Sequence, residues 1–184
     1  MNALRLLSAG LGLLGLASGT WALRRPEEAR RFARELPRNP WIGRVLFAVD
    51  VAWAMVLLDR MDLGGLNAWK TLAYWSSPFI YVYVILRLNA YLGAQALALF
   101  LVLAAKPVLG ICFLRDEPSR LVLVVLAYAW AIAGTVFFCA PHWLRDLIAI
   151  CEATPARWKA LARLKIAAGA VSYTHLTLPT NREV

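Results

Sequence analysis

Residues 19–40 read GTWALRRPEEARRFARELPRNP, and residues 134–155 read GTVFFCAPHWLRDLIAICEATP. Gly19-Thr20, Pro26, Arg30 and Pro40 of the first stretch align with Gly134-Thr135, Pro141, Arg145 and Pro155 of the second, 115 positions on. The apolar positions coincide as well. Ala29, Phe32, Ala33 and Leu36 match Leu144, Leu147, Ile148 and Cys151, spaced i, i+3, i+4, i+7 as one face of a helix requires. Proline suits the first turn of a helix, where no N–H is needed, and breaks one elsewhere. Each stretch therefore reads as the end of an apolar helix, a short amphipathic helix, and a turn into a second long helix.

Working outward, 61% of the residues are hydrophobic and only 17% are charged, an excess of apolar residues that points away from a soluble domain. A helix needs roughly 20 mostly apolar residues to cross a bilayer, where unpaired backbone groups are not tolerated. Five runs approach that length: 6–23, 42–58, 72–88, 92–112 and 121–140, with a truncated sixth from 164. The linkers at 24–41 and 141–160 separate the members of each pair. The expected fold is an all-α, multi-pass transmembrane helix bundle with two parallel repeats of span, cytoplasmic amphipathic helix and span, the second repeat truncated. The repeats are parallel because an even number of spans separates them.

The formal net charge of +9 does not imply nucleic acid, because the basic residues follow the loops. Arg24, Arg25, Arg30, Arg31, Arg34, Arg38 and Arg44 flank or fill the first linker, and Arg145, Arg157, Lys159, Arg163 and Lys165 follow the fifth run. The alternate loops, with Asp59, Arg60, Asp62 and Lys70, and with Arg115, Asp116, Glu117 and Arg120, are nearly neutral. By the positive-inside rule both linkers face the cytoplasm and the N-terminus faces outward. Arg24, Arg25, Arg30, Arg31 and Arg34 are the candidate lipid head-group contacts, above an apolar stripe lying on the membrane. Trp21, Trp41, Trp143 and Trp158 fall where an inner interface belt belongs, and Trp69 and Trp75 near the outer one. The expected location is a bacterial inner membrane, and the expected partners are the lipid bilayer and other membrane subunits.

Cys112, Cys139 and Cys151 lack the spacing of a metal or disulfide framework and read as small buried thiols. The first apolar run could pass for a signal peptide. The Arg24-Arg25 pair that follows it and its internal counterpart before Gly134 favour a retained helix. Residues 171–180, VSYTHLTLPT, resemble a translated transposon-end sequencing adapter, so 171–184 is read as a non-native tail and set outside the fold.

Asp50 is the leading candidate for function. It lies within the second run, roughly 10 Å from the inner edge at about 1.5 Å per residue, where a carboxylate must be paired, hydrated or protonated. Position 50 corresponds to Lys165 in the second copy, which makes Asp50 and Lys165 a candidate intramembrane pair. The alternative is that Asp50 caps a hydrated vestibule while Lys165 snorkels to the head groups. Lys106 is a second buried charge, nearer the outside. No phosphate loop, nucleophile motif or carboxylate cluster is present, so no catalytic residue, cofactor or metal is expected.

Pro37–Trp41 (PRNPW), Ala48–Trp53 (AVDVAW) and residues 126–134 (LAYAWAIAG) together resemble uncharacterised polytopic bacterial inner-membrane proteins. The resemblance implies a multi-pass inner-membrane bundle and carries no functional residues with it. The expected function is a non-enzymatic membrane protein, structural or an accessory subunit of a complex. The alternative is a small transporter or channel using Asp50 at the repeat interface. A lipid-modifying enzyme ranks below both.

Overall fold

Prolines set the helix boundaries. The structure is a computed structural model that describes residues 3–87, 91–113 and 120–177, except for the side chains of 3–8, 122 and 171–177. Among these residues the chain forms α1 (Ala3–Arg24), α2 (Pro26–Glu35), α3 (Pro40–Asp59), α4 (Ala68–Arg87), α5 (Leu92–Cys112), α6 (Arg120–Cys139), α7 (Pro141–Glu152) and α8 (Pro155–Thr177), with a 3-10 turn at Gly64–Leu66. No strand occurs among the described residues. Arg115, Asp116 and Glu117 of the expected outer loop lie outside them, as do residues 178–184.

The boundaries recur with the sequence spacing. α1 ends at Arg24 and α6 at Cys139, α2 starts at Pro26 and α7 at Pro141, and α3 starts at Pro40 and α8 at Pro155. The caps recur too. The Asn39 side chain accepts from the N–H groups of Trp41 and Ile42 at 3.0 and 3.3 Å. Thr154 Oγ1 accepts from the Arg157 N–H at 3.3 Å. Both cap the first turn of a helix that opens on proline. α8 thus starts at Pro155, where cap and proline coincide, and it runs on into the adapter-like stretch as far as Thr177.

Two compact units are formed, one of Met1–Ala33, Ala105–Ala129 and Asp146–Val184, the other of Arg34–Ala104 and Trp130–Arg145.

In the first unit α1 and α8 pack antiparallel through small residues. A Cβ on Gly15 would lie 3.2 Å from Gly169 Cα, and one on Gly19 would lie 2.6 Å from Ile166 Cγ1 and 3.0 Å from the Ala162 carbonyl oxygen. Glycine four residues apart lets helix backbones approach this closely. Beyond the crossing, Ala22, Ala29, Trp158 and Ala162 form a small core with Ala33 packed against it. The Trp158 indole N–H donates to the Ala22 carbonyl oxygen at 3.0 Å. That carbonyl would otherwise bond the N–H four residues on, where Pro26 has none.

In the second unit α4 runs antiparallel to α3 and is fastened by two tyrosines. The Tyr81 hydroxyl donates to the Arg44 carbonyl oxygen at 3.3 Å, and the Tyr74 hydroxyl donates to that of Met55 at 3.1 Å. α5 lies beside α3 in the same direction. A Cβ on Gly43 would lie 2.7 Å from the Gly93 nitrogen, and further along Trp53 meets Phe100 edge to face at 5.5 Å. Gly93 sits beneath the turn after α2, 2.8 Å from Pro37 O by the same measure, and Gly134 of α6 abuts Ala98 of α5.

Much of the apolar surface faces outward. α4 has no buried residue, and Trp75 and Phe79 are 74% and 75% exposed. Among the described residues, α3 and α5 are each long and apolar enough to cross a membrane, and Leu123–Cys139 with Pro141–Glu152 counts as a third if that pair, bent by 115°, is one span. All five expected spans are helices. Lys70, Ser76, Ser77 and Arg87 dilute the apolar character of α4.

Candidate functional site

Asp50 is fully buried, the one charged residue among the described ones of which this is true. Neither carboxyl oxygen has a hydrogen-bond partner. Its position follows from the periodicity of α3. Gly43, seven residues earlier, and Trp53, one turn later, share its side of the helix, and both meet α5. The neighbouring stretch of α5 holds the buried Ala94, Ala96 and Ala98, with the partly buried Gln95 among them. Toward α4, Phe47 stacks on Tyr81 at 5.8 Å. Trp53 is thus occupied in packing.

The other expected site residues are placed differently. Lys165 is exposed and belongs to the other unit. The Lys165 main-chain oxygen, by contrast, lies 3.2 Å from where a Gly15 Cβ would be. Lys106, expected to be buried, is exposed, its long stem carrying the ammonium group off the helix.

Among the candidate head-group contacts, Arg24, Arg25, Arg31 and Arg34 are exposed. Arg25 pairs with Glu28 at 3.1 Å. Arg30 departs from the expectation. Its side chain is only 16% exposed and bonds Glu27 at 3.4 Å, while the guanidinium lies over the Trp158 ring, 5.7 Å from its centre. The stripe meant for the membrane is also partly used by protein, since Ala29 and Ala33 pack with Trp158. Trp21, Trp41 and Trp143 are exposed as an interface belt requires, but Trp158 is buried.

Arg145, the counterpart of Arg30, likewise lies over an aromatic ring, that of Tyr91, at 5.7 Å. Of the thiols, Cys112 is buried and Cys139 exposed. No group of three His, Cys, Asp or Glu side chains placed to hold a metal occurs among the described residues. No protein-family model, curated protein or solved structure matches the chain.

Proposed function

We propose that the protein is an integral, multi-pass protein of a bacterial inner membrane, built from two parallel repeats and serving as a structural or accessory subunit of a membrane complex. The observation that carries this reading is the outward apolar surface, above all α4 with Trp75 and Phe79 exposed and nothing buried. In water so large an apolar face would drive aggregation. In a bilayer it is solvated by acyl chains or covered by a neighbouring helix. The recurrent helix boundaries and caps support the repeat.

Fractionation tests the first half of the proposal. The full chain should stay in the membrane pellet after alkaline carbonate washing, and reporter fusions in the α2 and α7 linkers should be cytoplasmic. Release into the wash would refute membrane integration. Photocrosslinkers at Trp75 and Phe79 test the second half. A subunit should give one discrete protein adduct, whereas lipid-only adducts would leave an anchor without a complex.

The orphaned carboxyl of Asp50 favours a second reading, a small transporter or channel. Under that reading Asp50→Asn should abolish flux in proteoliposomes while leaving membrane insertion and any crosslink unchanged.

A further inference from the structure

We infer that Asp50 is a binding site for a small monovalent cation, a proton or a sodium ion, held inside the helix bundle. The inference rests on the reading that α3 lies in a membrane, but not on whether the bundle conducts.

A carboxylate removed from water costs several kcal/mol unless something positive or donating meets it. Asp50 is fully buried and receives no hydrogen bond at either oxygen. The groups around it do not supply the missing charge. α5 carries no ionisable side chain over residues 92–104. From α4, Tyr74 and Tyr81 reach α3, and both hydroxyls donate to main-chain carbonyls there. Lys70 donates to the Asp59 carbonyl oxygen at the far end of α3, at 3.2 Å. On α3 itself the Arg44 guanidinium lies over the Trp41 ring at 5.2 Å.

A second feature lies at the same depth. The two tyrosine contacts fix the antiparallel register of α3 and α4, and interpolation between them sets Asp50 level with Ser76, Ser77 and Pro78. Pro78 has no N–H for the Tyr74 carbonyl oxygen, and Ser77 Oγ donates to that oxygen at 2.9 Å instead. Ser76 Oγ donates to the Ala73 carbonyl oxygen at 3.2 Å. At one depth the helix pair thus carries a buried carboxyl on α3 and, on α4, the part-buried Ser76 hydroxyl together with the exposed Ser77 hydroxyl and the proline-freed Tyr74 carbonyl. Those are oxygen ligands of the kind a small hard cation takes, and none of them is itself a cation.

Dicyclohexylcarbodiimide, which partitions into bilayers, tests this on the full chain in proteoliposomes. The reagent adds to a protonated carboxyl: the acid proton goes to a carbodiimide nitrogen, the carboxyl oxygen bonds the central carbon, and an acyl shift leaves a stable N-acylurea with no leaving group. In sodium-free buffer at neutral pH, Asp50 should be labelled about tenfold faster than the exposed Asp59 and Asp62, a factor equal to ~1.4 kcal/mol. Peptide mass spectrometry reads the site without any variant. Labelling that falls as pH rises and ignores sodium identifies a proton site. Labelling that sodium suppresses at constant pH, and choline does not, identifies a sodium site. Asp50→Glu should keep the response and Asp50→Asn should lose the adduct. Asp50 unlabelled at every pH without sodium, or labelled no faster than Asp59 and Asp62, would overturn the inference. Carbonate extraction of the same preparation shows separately whether membrane integration has failed instead.

Discussion

The indole N–H of Trp158 donates to the Ala22 carbonyl oxygen across 136 positions of sequence, filling the hydrogen bond that Pro26 removes from α1. The corner between α1 and α2 therefore depends on a side chain from the far end of the chain. Trp158→Phe keeps most of the ring in the core but leaves a buried carbonyl unpaired, a loss of about 1–3 kcal/mol. In a Pro26→Ala background residue 26 regains an N–H for that carbonyl, so the same substitution should cost about 1 kcal/mol less. Unfolding of the four proteins in detergent measures the coupling. Equal costs in both backgrounds would mean that the hydrogen bond contributes nothing.

The paired caps give a second prediction. Asn39 and Thr154 occupy the same place in the two repeats and receive N–H groups from the first turns of α3 and α8. Asn39→Ala and Thr154→Ala should each destabilise by about 1 kcal/mol. The double variant should lose the sum, because the caps serve different helices. A thermal shift series in one detergent checks both claims. Asn39, with two accepted hydrogen bonds against one for Thr154, should be the more costly to lose.

The sequence carried the helices well, since their ends are local matters of proline, capping and apolar run length. The expected run at 92–112 matches α5, and those at 42–58 and 121–140 fall within two residues of α3 and α6. What it could not carry were long-range pairings. Trp158 reads as an interface tryptophan until Pro26 is seen to free the Ala22 carbonyl, and that spacing was the available signal. Arg30 looks like a head-group ligand in a basic linker, but the same tryptophan offers its ring face. Asp50 was legible as an intramembrane carboxyl.

The loop between α3 and α4 should respond to acid through Asp62. Its carboxylate accepts from the Asn67 amide and the Gly64 N–H, both at 2.9 Å, and these bonds hold its pKa below the ordinary carboxylate value. A lowered folded-state pKa contributes order that is fully present above the unfolded value and is lost as pH falls through the folded one. Protection of the Gly64 amide should persist through mildly acidic buffers and disappear only below the usual carboxylate range of about 3.9. Asp62→Asn should flatten that acid step. Loss of Gly64 protection at a pH well above that range would contradict the assignment.

Gly19 and Gly134, equivalent in the repeat, both sit where another helix comes too close for a side chain, but against different obstacles. A Cβ on Gly134 would first meet the Ala98 carbonyl oxygen at 2.6 Å and then Val102 Cγ2 at 2.8 Å. The first of these is backbone and cannot move without shifting α5. A Cβ on Gly19 would first meet Ile166 Cγ1 at 2.6 Å, which a rotamer change can relieve, with the Ala162 carbonyl oxygen at 3.0 Å. Alanine gains about 1 kcal/mol over glycine as a helix former, which offsets part of the overpacking cost of about 1–3 kcal/mol. Gly19→Ala should therefore be close to neutral and Gly134→Ala destabilising by about 1–2 kcal/mol. Ile166→Ala, which removes the Cγ1 that Gly19 faces, should make Gly19→Ala less costly still and leave Gly134→Ala unchanged. Unfolding midpoints of the single and double variants decide this, and a Gly19→Ala loss as large as that of Gly134→Ala would show that the α1–α8 crossing is as rigid as the α5–α6 one.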